Sequence, residues 1–193
     1  HHMAKEFYAP VLVTVAPDEL DVVFTVVSDL PEDRDVDVHI QAVDMTGAAR
    51  EIDRFTMTAT SAGAIEAIRL DDAVLKAGEI FHFTWDAGED AMGAQLKGAD
   101  IYAPKAWKTY DLTPASIDMH IDQSGDVVEI TLTSQGLGLF VSLEADIAGR
   151  FSDNAFTLLS GMSRVVTFTP EQAGDVPQFT LRDLHSATYG ETQ

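Results

Sequence analysis

The sequence predicts an all-β protein of two consecutive β-sandwiches, and three observations carry that prediction. The dominant hydrophobic period is two, the repeat of a strand with one wet face. Turn-forming residues interrupt the apolar stretches about every 8–12 residues, as in a sandwich or barrel. A break with two prolines, residues 103–114 (APKAWKTYDLTP), separates two sets of strands. The 193 residues therefore divide into domains 4–108 and 109–193, each close to the roughly 100 residues that one sandwich needs. His1, His2 and Met3 read as the remnant of an affinity tag and a vector start codon, and the chain is expected to be a piece of something longer.

The first strand is expected at residues 20–29 (LDVVFTVVSD), rich in β-branched residues and followed by Pro31. At 35–44 (DVDVHIQAVD), Val36, Val38, Ile40 and Ala42 point one way, while Asp35, Asp37, His39 and Gln41 point the other. Thr46 and Gly47 supply a turn. Strands follow at 50–58, more weakly at 65–70, then at 79–86 and 98–103. In 79–86 (EIFHFTWD), Phe81, Phe83 and Trp85 share one face. The second set runs 116–122, a turn at Ser124-Gly125-Asp126, then 127–133, 139–144, 164–169 ending at Pro170, and 178–184. Helix signals are confined to residues 5–9, the end of a helix, and 71–77, a single turn.

Composition narrows the function classes. Thirty-two acidic against twelve basic residues give a net charge of −20. That field repels a phosphate backbone and excludes nucleic acid as a partner. The charge divides almost evenly, −11 through Lys108 and −9 after it, and reads as a solubilising surface. No apolar run approaches the roughly 18 residues of a membrane helix, so no membrane partner is expected. The chain has no cysteine, which excludes disulfides, thiol catalysis and cysteine-ligated zinc. A bacterial cytoplasmic location is favoured.

The residues that could carry chemistry fit structural roles better. Asp33, Asp35 and Asp37 have the D-x-D-x-D spacing of a calcium loop, but Val38 stands where such a loop needs glycine. Gly136-Leu137-Gly138 lacks the third glycine and following helix of a dinucleotide site, and reads as a bulge or close backbone approach. His39, His82, His120 and His185 each fall on a separate strand-like segment, without metal-ligand spacing. Phe81, Phe83 and Trp85 alternate as core residues rather than as a sugar-stacking platform. Ser160-Gly161-Met162-Ser163 reads as a turn, and no G-x-S-x-G is present. Expected catalytic, cofactor-binding and metal residues are therefore none, and no cofactor is expected.

One stretch is more specific. Residues 149–170 read GRFSDNAFTLLSGMSRVVTFTP. Ser152, Asp153 and Asn154 are turn formers that bond local backbone, with Phe151, Phe156 and Leu158 placed to anchor the corner. The stretch resembles the last immunoglobulin-like domain of β-mannosidases of glycoside hydrolase family 2. Those carry a G-x-F-S-D-N-x-F-D-L-L-P-G-E-like segment before a strand that ends in proline. Phe151-Ser152-Asp153-Asn154, Leu158-Leu159 and Gly161 match; Thr157, Ser160 and Met162 depart from the pattern. Residues 4–11 (AKEFYAPV) resemble the junction after the catalytic barrel, and Tyr102-Ala103-Pro104-Lys105 resembles the crossing between the two final sandwiches.

The resemblance implies two consecutive immunoglobulin-like β-sandwich domains from the C-terminal end of an enzyme that removes terminal β-D-mannose with retention. In that family two barrel glutamates do the chemistry, about 5–5.5 Å apart in retaining enzymes. A barrel needs about 250 residues and alternating helices, so no catalytic residue is carried onto this chain. The implied partner is the catalytic barrel of a parent chain, with mannosides bound at low affinity as a further expectation. The alternatives are a free-standing carbohydrate-binding or protein-interaction module, and the same domains of another family 2 glycosidase.

Overall fold

Residues with a period of two extend and pair, because alternation gives each strand one face to bury and one to hydrate. The computed structural model describes residues 9–125, 127–172, 174 and 176–190. They form two units: residues 9–44 with 49–110, and residues 45–48 with 111–190. Both are antiparallel sandwiches, so the expected all-β, immunoglobulin-like class is what the chain adopts.

In the first unit the strands are β1 (Val11–Asp18), β2 (Asp21–Ser28), β3 (Arg34–Val43), β4 (Ala49–Ala59), β5 (Gly63–Asp71), β6 (Ile80–Glu89) and β7 (Gln95–Tyr102). Sheets β1-β2-β5 and β4-β3-β6-β7 enclose the core. Phe24 of β2 is fully buried at its centre, meeting Phe81 and Phe83 edge-on at 5.4 and 5.3 Å. Each such pair contributes about 0.5–1.5 kcal/mol beyond its buried area. Trp85 joins this row, and its Nε1–H donates to the Val11 carbonyl at 3.1 Å, tying the two sheets together. Gly98 makes room for that ring, since a Cβ there would lie 2.2 Å from Trp85 Cζ2.

The second unit has β8 (Ile117–Ser124), β9 (Val127–Ser134), β10 (Gly138–Ala145), β11 (Gly149–Phe151), β12 (Phe156–Leu158), β13 (Ser163–Pro170), β14 (Phe179–Arg182) and the helix α1 (Leu184–Tyr189). Sheets β11-β13-β9-β8 and β12-β10-β14 cover a core around Ile130, Leu132, Val141, Val166 and Phe168. Phe151, Phe168 and Phe179 form an aromatic triad with centroids 4.7–5.9 Å apart. Gly149 lies against it, because a Cβ there would sit 2.2 Å from Phe168 Cζ.

The structure departs from the sequence reading in four places. β1 was not expected; Pro17 near its end removes a ladder donor, which an edge strand tolerates on its solvent side. β11 and β12 have three residues each, too short to show a period. The last strand stops at Arg182 rather than 184, and α1 follows, capped by Asp183 and Ser186 in a reciprocal box and closed by Gly190 at φ +78°. His185 is therefore helical, not on a strand. The turn expected in 71–77 is a 3₁₀ turn at Asp72–Val74. The helix end at 5–9 and the junction at 4–11 fall mostly on residues outside those described, as does Asp126 of the expected 124–126 turn.

Candidate functional site

The corner before β13 is the most elaborated local structure in the second unit. Ser152 joins β13 through its N–H, donated to the Thr167 carbonyl at 2.8 Å, and its Oγ, which accepts from the Thr167 N–H at 2.9 Å. Asp153 Oδ1 accepts from the Asn154 N–H and so tightens the turn. Its Oδ2 pairs with Arg164, whose guanidinium also lies 4.4 Å over the Phe156 ring. Asn154 then reaches β10: Oδ1 accepts from the Leu143 N–H at 2.8 Å and Nδ2 donates to the Leu143 carbonyl at 2.9 Å. The side-chain amide thus supplies both hydrogen bonds that a neighbouring strand would give. Ala155 completes the corner in the left-handed region at φ +62°. Phe156 and Leu158 are buried, as expected for anchors, and Phe151 packs on the same core.

The candidate residues elsewhere are engaged in holding the sheets. Asp33 accepts from the Ser61 N–H at 2.9 Å; Asp35 and Asp37 accept from Thr58 and Thr56 across the β3–β4 pair. Phe81, Phe83 and Trp85 are in the core, as their alternation predicts. Gly136 donates to the Ala115 carbonyl at 2.8 Å, and a Cβ there would lie 3.1 Å from the Pro114 carbonyl, the close backbone approach expected of it. Ser160 Oγ donates to the Gln135 carbonyl within a turn that Gly161 closes at φ +74°.

Register brings together one cluster that linear spacing does not announce. On the outer face of β3, His39 Nε2 lies 3.2 Å from Glu51 Oε2, and Arg54 Nη2 lies 3.1 Å from His39 Nδ1. The arrangement fits Nε2–H donating to Glu51 and Nδ1 accepting from Arg54. Both ring nitrogens thus have partners within the sheet. On the neighbouring strand His82 is buried, with Nδ1 unpaired among the described residues. Burial, and secondarily the nearby His39, push its pKa down to about 4. His120 lies on β8, in the second unit. Among the described residues no three histidine, aspartate or glutamate side chains converge to hold a metal ion.

A second polar anchor also escaped the sequence reading. Glu79, nearly buried, takes a bidentate pair from Arg50 at 3.0 and 2.5 Å and the Lys76 N–H at 2.7 Å. Arg50 also donates to the Val74 carbonyl at 2.7 Å. The guanidinium holds the Glu79 carboxyl below the usual range. This knot fastens the 3₁₀ segment to β4.

Both units thus define a class: immunoglobulin-like β-sandwiches whose polar side chains secure turns and strand edges. Residues 112–187, within the second unit, match the family model of the mannosidase Ig-fold domain, Ig_mannosidase. The fold of the chain is similar to a β-D-mannosidase from Dictyoglomus thermophilum, with a TM-score of 0.76 at 13% identity over 95% of this chain and 22% of that one. It is also similar to the exo-chitosanase CsxA of Amycolatopsis orientalis, with a TM-score of 0.67 at 13% identity over 94% of this chain and 26% of that one. The chain spans about a quarter or less of the length of these two structures. No curated protein matches the sequence.

Proposed function

We propose that the chain is the C-terminal pair of immunoglobulin-like sandwiches of a β-mannosidase-like glycoside hydrolase. In this reading the chain is non-catalytic, and the whole enzyme removes terminal β-D-mannose from non-reducing ends with retention. The observation that carries the reading is the Ig_mannosidase match on residues 112–187, which includes the corner from Gly149 to Pro170. The role assigned to the pair is structural: bracing a catalytic barrel and shaping a rim near the substrate entrance. Its side-chain chemistry supports that role, since Asn154, Asp153, Glu79 and His39 all serve internal contacts.

A second reading, the same domains in a different family 2 glycosidase, is favoured by the likeness to an exo-chitosanase at the same 13% identity. The test is the reading frame upstream of the codon for Ala4. A (β/α)₈ barrel with two strand-end glutamates is the expected result. A start codon there, with no barrel ahead, would overturn the proposal. Titration of the chain with manno-oligosaccharides addresses the free-standing carbohydrate-binding alternative, which requires saturable binding at millimolar sugar.

A further inference from the structure

We propose that β8 is a strand-pairing edge that docks a second copy of this chain, antiparallel and centred on Ile121. An open strand edge offers unpaired N–H and C=O groups, and proteins blunt such edges with bulges, proline, charged side chains (lysine above all) or short length. Among the described residues, the other edges carry such devices. β1 contains Pro17, and β5 holds Arg69 and a register shift against β2. β4 holds Arg50, Arg54 and a register shift. β7 holds Lys97 and a register shift against β6. β11, β12 and β14 have three, three and four residues. β8 has eight residues and pairs with β9 without any register shift; its sequence IDMHIDQS has no proline, glycine, lysine or arginine, and its charged side chains are acids, Asp118 and Asp122, the second of which His120 of another copy can pair.

The pattern of side chains on this edge selects a second copy as the occupant. Ile121 sits opposite the fully buried Ile130 and so faces the core side of the sheet, yet it remains 45% exposed, with no strand among the described residues paired on its outer side. His120 and Asp122 flank it on the outer face. Asp122 lies directly opposite Glu129, a like-charge pair with no cation on it among the described residues. A two-fold pairing centred on Ile121 sets Ile121 against its own copy and His120 against Asp122 of the other chain, twice. An imidazole N–H then donates to the carboxylate that faces Glu129. The ladder needs only residues 119–123, with Met119 opposite Gln123 at its ends.

Each copy carries a net charge of −20, which opposes association and makes the dimer strengthen as salt screens it. Five paired residues per chain form a small interface, so the expected dissociation constant lies in the high-micromolar range.

The test is sedimentation equilibrium of the full chain from about 10 μM to about 1 mM, at low and moderate salt. The expected result is a monomer–dimer equilibrium. His120→Asp and Asp122→His each weaken it by about tenfold, the two together restore it to within about threefold, and Ile121→Lys abolishes it. Unchanged thermal midpoints in the two charge variants confirm that these readings come from folded protein. A monomer throughout, or a dimer indifferent to the single exchanges or not recovered by the double one, would overturn the proposal. Occupation of this edge by another part of a longer chain would appear as the monomer outcome.

Discussion

The side chain of Asn154 makes both backbone hydrogen bonds of Leu143, accepting from its N–H at 2.8 Å and donating to its carbonyl at 2.9 Å. β12 pairs with β10 only at Gly138 and Val141, so this amide continues the ladder where the strand has ended. Replacing it with alanine leaves a donor and an acceptor of a half-buried strand unpaired. The expected loss is about 2–3 kcal/mol, read as a lower midpoint in urea at constant slope. Asn154→Asp retains the acceptor but turns a carboxylate oxygen on the Leu143 carbonyl, and destabilises comparably. A change within about 0.5 kcal/mol for both variants contradicts this role.

Gly98 and Trp85 form a packing pair of another kind. A methyl group on residue 98 meets the indole at 2.2 Å, and the ring is fixed by its bond to Val11. Gly98→Ala is therefore expected to destabilise by about 1–3 kcal/mol through overpacking, with a shift in tryptophan fluorescence. Gly161→Ala is the comparison: its added methyl meets nothing within 4 Å, so only the left-handed backbone at φ +74° opposes it, at about 1 kcal/mol.

His82 gives the first unit an acid-sensitive element. Its folded pKa of about 4 lies below its ordinary 6.5, so the neutral form is the one that folding favours. The stability it contributes is complete above pH 6.5 and falls away as pH drops toward 4, by up to about 3 kcal/mol. Unfolding free energy measured between pH 7 and 4 should fall less steeply in His82→Gln than in the parent chain. Identical slopes would remove His82 from the account.

Arg50 and Glu79 couple at lower pH. Glu79 has a depressed pKa, so its contribution is present at neutral pH and disappears as pH falls through the carboxylate range. A double-mutant cycle of Arg50→Ala and Glu79→Gln should return a coupling of about 1–3 kcal/mol at pH 7 that shrinks toward pH 3. A coupling near zero at neutral pH would show that the pair does not hold the 3₁₀ segment.

Most of the strand architecture was legible in the sequence because the apolar residues of Val36–Ala42 and Phe81–Trp85 alternate cleanly and so place one face of each strand in the core; that His82 on the other face of β6 is also buried left no such trace. The corner was legible as a turn with aromatic anchors. Its reach to Leu143 was not, since a side-chain bond spanning eleven residues leaves no periodic trace. The His39–Glu51–Arg54 cluster depends on the register shift between Ile40 and Gln41, which no local signal announces. α1 carried its signals in Asp183, Ser186 and Gly190, but six residues are too few to display a 3.6-residue period beside an apolar strand.

The measurement that bears most directly on the central claim is glycosidase assay of the whole protein encoded by the reading frame that contains this chain. Aryl β-D-mannoside and aryl β-D-glucosaminide are the substrates, and product anomers are followed by NMR. The account predicts hydrolysis of the mannoside with retained configuration, and no hydrolysis by residues 4–193 alone. Cleavage of the glucosaminide in its place would move the sandwiches to another family 2 glycosidase, and a full-length protein that cleaves neither would contradict the account.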